Sequence, residues 1–206
     1  FSIGLILVSV LALVVFTLAE SKAAEPVLPL RLFRQRTFVV TSAVGLIVGF
    51  ALFGSVTYFP LFLQVVKGAT PTASGMQMLP MMAGMLVTSI GSGQLISRTG
   101  RYKLFPVVGT AVMMTGLYLL SRLTPQSTTI TASLLLLVLG VGLGMVMQVL
   151  VIAVQNAVSY QDLGVATSGA TLFRLIGGSL GTAILGAVFA AQLSANLARL
   201  IPSAAG

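Results

Sequence analysis

The sequence contains no cysteine and no histidine, and only three of its 206 residues are acidic, Glu20, Glu25 and Asp162. Without cysteine there is no disulfide framework, and the redox compartment is not legible. Without histidine or thiol ligands, and with three scattered carboxylates, there is no metal cluster, no Ser-His-Asp triad and no buried acid pair, so an enzyme is not expected. No cofactor is expected either. Charge as a whole is scarce: 7% of residues are charged, against roughly a quarter in an ordinary globular sequence. What replaces it is apolar, with 57% hydrophobic residues and a mean hydropathy of +1.08. The composition is that of an integral membrane protein. A net charge of +8 is compatible with nucleic-acid binding, but here the cations fall in short gaps between apolar runs rather than over a solvated face. The phosphates they meet are expected to be those of membrane lipids, and nucleic acid is not an expected partner.

A helix needs ~20 apolar residues to cross ~30 Å of hydrocarbon with its backbone bonded internally. Six runs have about that length: 1–19, 38–65, 73–97, 104–121, 131–156 and 166–190. The predicted architecture is therefore an all-α, polytopic helical bundle. Residues 20–37 read as a linker and 191–206 as a tail on the far side of the membrane. Lys and Arg next to a span tend to stay in the cytoplasm. If the first run exits into the cytoplasm, inside segments hold seven cations (Lys22, Arg31, Arg34, Arg36, Arg98, Arg101 and Lys103). Outside segments then hold three (Lys67, Arg122 and Arg199). That asymmetry places "RTGRYK", residues 98–103, in the cytoplasm and "KGATPTAS", residues 67–74, outside.

Gly93, Leu95, Arg98, Gly100, Arg101, Lys103 and Leu104 have a spacing that resembles the "G-x-L-a-D-R-x-G-R" loop of the major facilitator superfamily, in the copy of its second half. Ser97 departs from it, standing where the stronger first-half copy has an acid. "EPVLPLRLFRQRTF", residues 25–38, resembles the linker before the second bundle of the fourteen-helix drug:proton antiporters of the EmrB/QacA type. "GVATSGATLFRLIGGSLGTAILGAVF", residues 164–189, resembles their penultimate span. The resemblance implies that the six runs are spans eight to thirteen. It implies a piece of a longer polypeptide that opens on Phe1, with an N-terminal bundle upstream and a last span downstream. It also implies secondary transport by alternating access in a bacterial inner membrane, with protons as the coupling ion and small lipophilic or cationic compounds as substrate. The coupling acids are then expected in the N-terminal bundle, since the three acids here lie at or outside span boundaries. Other solutes of the superfamily, or a non-transporting scaffold, are the alternatives.

Individual residues carry narrower expectations. In the loop, Gly93 allows close approach and Gly100 a tight reversal, while Arg98, Arg101 and Lys103 can serve helix-end carbonyls as a conformational latch or act as topology signals alone. Arg174 is the formal charge inside an apolar run. Such a cation costs a few kcal/mol or more unless it pairs, snorkels or faces water, so a gating role and a snorkelling role both stand. Asp162 is the acid nearest to it in sequence. Gln148 and Gln155 lie two turns apart on one stripe, and Gln148 is the expected cavity residue, with Gln155 and Asn156 expected to cap the helix. Met78, Met82 and Met85 can share one face, as a pocket for varied apolar molecules or as lipid-facing filler. Tyr58 and Gln64 read as interfacial anchors. Gly140 with Gly144, and Gly177 with Gly181, are each one turn apart, with Gly178 and Gly186 adjoining, and predict close helix packing.

Overall fold

The computed structural model describes residues 2–22, 30–100, 102, 104–124 and 126–200. Among them the chain forms seven helices and no strand: α1 (Ser2–Lys22), α2 (Arg36–Lys67), α3 (Pro71–Met76), α4 (Leu79–Thr99), α5 (Leu104–Ser121), α6 (Thr129–Ala157) and α7 (Leu163–Leu200). Two 3-10 turns, Leu30–Arg34 and Tyr160–Asp162, precede α2 and α7. Five stretches are long and apolar enough to cross a membrane: Arg36–Lys67, Pro71–Thr99, Leu104–Ser121, Thr129–Ala157 and Tyr160–Asn196. The protein is an all-α, multi-pass membrane protein.

The expected runs differ from these helices in two places. The run 73–97 is broken at Gln77 and Met78, because Pro80 has no N–H to give to the carbonyl of Met76. Pro80 thus sits in the first turn of α4, where the missing donor costs little. Thr70 caps the preceding short helix, its Oγ1 accepting from the Ala73 N–H at 3.2 Å, with Pro71 at the first position. At the other end of the chain, 191–200 continues α7 rather than forming a tail, as its Ala, Leu, Gln and Arg content favours. Gly68 and Gly100 end α2 and α4 with φ of 64° and 68°, a left-handed conformation that suits glycine.

Helix α6 is the centre of the bundle. Leu136, Leu139, Leu143 and Val146 are fully buried, in one cluster with Val48 and Ala51 of α2, Met78 just before α4, Met81 of α4 and Met113 of α5. The sequence Gly-Val-Gly-Leu-Gly, 140–144, makes this possible. Residues two apart on a helix point to nearly opposite sides, so Gly140 and Gly144 face α4 while Gly142 faces α5. A Cβ on Gly140 would lie 2.1 Å from the Met81 carbonyl oxygen, and one on Gly144 2.3 Å from that of Met85. On Gly142 it would lie 2.5 Å from the Met113 nitrogen. With no lipid-excluding force between apolar helices, such backbone approach is what dispersion has to work with.

Helices α2 and α7 form the other tight seam. A Cβ on Gly177 would sit 1.9 Å from the Leu46 carbonyl oxygen, one on Gly181 2.8 Å from that of Phe50, and one on Gly49 2.0 Å from that of Arg174. Tyr58 closes the seam, its hydroxyl donating to the Thr182 carbonyl at 2.6 Å beside Gly186. Gln64 donates to Ser74 Oγ at 2.9 Å, holding α3 to α2, and Lys67 reaches the Ser127 carbonyl between α5 and α6. Tyr58 and Gln64 therefore join helices, which their positions near a span end do not reveal.

Candidate functional site

Successive spans alternate in direction, which puts Arg31, Arg34, Arg36 and Arg98 at one end of the bundle, called here the basic end. A polar groove runs inward from it between α4 and α6. Its volume is about 420 Å³, and Ser89, Ile90, Gly93, Gln94, Ser97 and Arg98 line it from α4, with Gln148 from α6. The α4 residues fall at i, i+4 spacing (89, 93, 97 and, beside them, 90, 94, 98), so one stripe of small and polar side chains, interrupted by Ile90, faces the groove.

Gln148 is half-buried and oriented by its neighbour: Ser89 Oγ donates to its Oε1 at 3.1 Å. Among the described residues its amide nitrogen has no hydrogen-bond acceptor. Gly93 lies directly beneath it, and a Cβ there would approach Gln148 Nε2 at 3.3 Å. Gly93 thus makes room for the amide of α6, where the sequence reading had it bring helix ends together. Ser97 Oγ donates back to the Gly93 carbonyl at 2.9 Å, and the exposed Arg98 forms the groove's mouth. The groove can offer hydrogen-bond donors and acceptors and one positive charge to a molecule inside an otherwise apolar layer. Gly100 follows as the cap of α4, its N–H bonded to the Ile96 carbonyl at 2.8 Å. Arg101 and Lys103 lie outside the described residues.

The methionines divide. Met78 is packed in the core, Met85 is half-buried against it, and Met82 is 54% exposed on the outer surface of α4. None of the three lines the groove. Met81, one position from the face the sequence suggested, is the buried one at the α4–α6 contact. Gln155 opens onto a second, larger depression of about 760 Å³ formed with Gly164, Thr167, Ser168, Thr171 and Leu175 of α7. The α6 stripe carrying Gln148 and Gln155 therefore meets α4 at one and α7 at the other. Asn156 is exposed beside it.

Arg174 is half-buried and lines a narrow crevice between α2, α6 and α7 with Thr41, Gly45, Met147, Leu150, Val154, Thr167 and Thr171. The crevice has a volume of about 20 Å³, enough for roughly one water. Asp162, the acid nearest to Arg174 in sequence, is not its partner. Asp162 Oδ1 accepts from Arg31 at 2.5 Å and Oδ2 from Ser159 Oγ at 2.9 Å. That is the ion pair among the described residues, and no local signal foretold it across a separation of 131 residues. Ser89 and Gly142 were also missed; the i, i+4 relation of Ser89 to Gly93 and the two-residue offset of Gly142 from its neighbours were the available signals.

Comparison with known proteins agrees with this architecture. The sequence pattern of the Major Facilitator Superfamily matches residues 1–182. An uncharacterized MFS-type transporter of Mycobacterium tuberculosis is 46% identical over 98% of this chain and 30% of its own length. The multidrug transporter protein MdtP of Bacillus subtilis is 39% identical over 97% of this chain and 37% of its own. A tetracycline resistance determinant of Streptomyces rimosus is 37% identical over 86% of this chain and 51% of its own. The chain thus spans between about a third and a half of the length of these relatives.

Proposed function

The chain belongs to the Major Facilitator Superfamily of transporters, and from that premise we propose that the full-length protein is a proton-coupled exporter of lipophilic compounds. Export proceeds by alternating access: two bundles rock about a site near the bilayer midplane. The present chain supplies most of one bundle, and an N-terminal bundle of the same polypeptide supplies the rest of the site and the coupling acids. The membrane is the bacterial inner membrane, with the basic end of the bundle in the cytoplasm.

The observation that carries this reading is the groove of Ser89, Gly93, Gln94, Arg98 and Gln148. A polar, open cleft is costly in a lipid-facing bundle unless it serves a solute or water-filled path. The half-buried Gln148, held by Ser89, is the substrate-facing residue. Arg98, with Arg101 and Lys103 after Gly100, acts on the conformational equilibrium, as does Arg174 between α2, α6 and α7. Relatives named as a multidrug transporter, a tetracycline resistance determinant and a tetracenomycin C resistance and export protein support the lipophilic substrate class.

The test is export from cells. The full-length protein is produced in a drug-susceptible bacterium, and retention of a fluorescent lipophilic cation and of tetracycline is followed with and without a protonophore. Faster loss of either compound, abolished when the proton gradient collapses, is expected. Equal retention with and without the protein refutes export, and export that survives the protonophore refutes proton coupling.

A further inference from the structure

The turn Leu30–Arg34 that leads into α2 is built into the bundle from two sides. On its polar side Arg31 donates to Asp162 Oδ1 at 2.5 Å, and Ser159 Oγ occupies Oδ2 at 2.9 Å, so both carboxylate oxygens are engaged. The Asp162 side chain is 12% exposed and that of Arg31 68%. A short 3-10 turn, Tyr160–Asp162, aims the carboxylate, with the Asp162 N–H bonded to the Ser159 carbonyl at 2.9 Å. On the apolar side Leu32 is 1% exposed in a cluster with Phe38 of α2, Val154 of α6 and Ala166 of α7. Phe33 meets the rings of Phe38 and Phe173 edge-on at 5.4 and 5.9 Å. The segment before α2 is thus fastened to the turn between α6 and α7, at the far end of the sequence.

We propose that Arg31 and Asp162 are positioning residues for transport, clamping the Leu30–Arg34 turn to the α6–α7 turn so that this segment moves as part of the bundle throughout the cycle. The inference rests on the transport reading above. In a rocking transporter, whatever tension arrives from the upstream half has to be passed to a rigid body. A segment fastened across the basic ends of α2, α6 and α7 delivers it to all three helices. An unfastened one delivers it to the first turn of α2 alone. The charge-assisted bond fixes the geometry, and the buried Leu32 makes detachment unfavourable.

The test uses a cysteine-free form of the full-length protein with two readouts. In the first, Leu32→Cys reports undocking through its rate of maleimide labelling in membranes, with Phe33→Cys serving if Leu32→Cys does not accumulate. Asp162→Asn and Arg31→Gln are each expected to raise that rate about fivefold, the order expected for losing a part-exposed ion pair. Arg31→Lys is expected to keep most of the protection, and Arg34→Gln, which removes a neighbouring cation outside the pair, to leave it unchanged. In the second readout, export per transporter in the membrane is expected to fall in Asp162→Asn and in the double variant Arg31→Cys/Asp162→Cys. Joining the two cysteines with a short bismaleimide should restore it.

An unchanged labelling rate in Asp162→Asn overturns the clamp. A cross-linked protein less active than the same protein unlinked overturns permanent docking, because the segment would then have to release. If the wild-type protein exports nothing, the transport reading fails, while the labelling readout still decides whether the pair holds the segment in place.

Discussion

Gly177→Ala tests whether the α2–α7 seam is as tight as backbone contact implies. The added Cβ would stand 1.9 Å from the Leu46 carbonyl oxygen and 2.7 Å from its carbon, where ordinary contacts begin at 3.4 Å. Neither atom is the end of a flexible side chain, so relief requires the helices to separate by more than an ångström. The neighbouring approaches resist that shift, since Gly181 meets Phe50 and Gly49 meets Arg174 along the same seam. Overpacking of this kind costs about 1–3 kcal/mol, with the lost dispersion along the seam added to it. The internal control is Gly91→Ala on α4, where a Cβ meets nothing within 4 Å. There the change should be neutral or stabilising by up to about 1 kcal/mol, because alanine is the better helix former. Thermal unfolding of the purified full-length protein in detergent, followed by loss of monodisperse material, should rank Gly177→Ala well below wild type and Gly91→Ala at or above it. Equal midpoints for the two variants would refute the argument that backbone contact holds α2 to α7.

Gly93→Ala brings its Cβ to 3.3 Å from Gln148 Nε2, a contact the amide can relieve by a small rotation, so export should be only slowed. Gly93→Leu fills the groove and should abolish export at normal membrane abundance, which a quantitative immunoblot and a dye-retention assay check together. Arg174→Lys keeps the charge but loses the planar guanidinium, so it should be impaired and Arg174→Ala more so. Wild-type export by Arg174→Ala would reduce this side chain to a snorkelling anchor. Single cysteines at Arg98 and Ala69, treated with an impermeant reagent on intact cells, should be protected and labelled respectively, and the reverse pattern would invert the orientation.

Most of the long helices and their order were legible in the sequence, because length and hydropathy are properties of single segments. The runs 38–65, 104–121 and 131–156 lie within α2, α5 and α6 almost to their ends. So was the meaning of the glycine pairs as places of close packing, since a missing side chain can be read without knowing what fills the space. Their partners could not be read. Gly140 and Gly144 meet α4 while Gly142 meets α5, and Gly177 meets α2, according to how each helix is rotated about its axis. That rotation is set by all the neighbours at once. The same azimuth separates Met78 in the core from Met82 on the surface, though both are equally apolar and one turn apart. It brings Ser89 to Gln148, which sit 59 residues apart, and Arg31 to Asp162 across 131. Hydropathy is a property of a segment, whereas a hydrogen bond between segments depends on where two helices sit relative to each other, and only the packed bundle decides that.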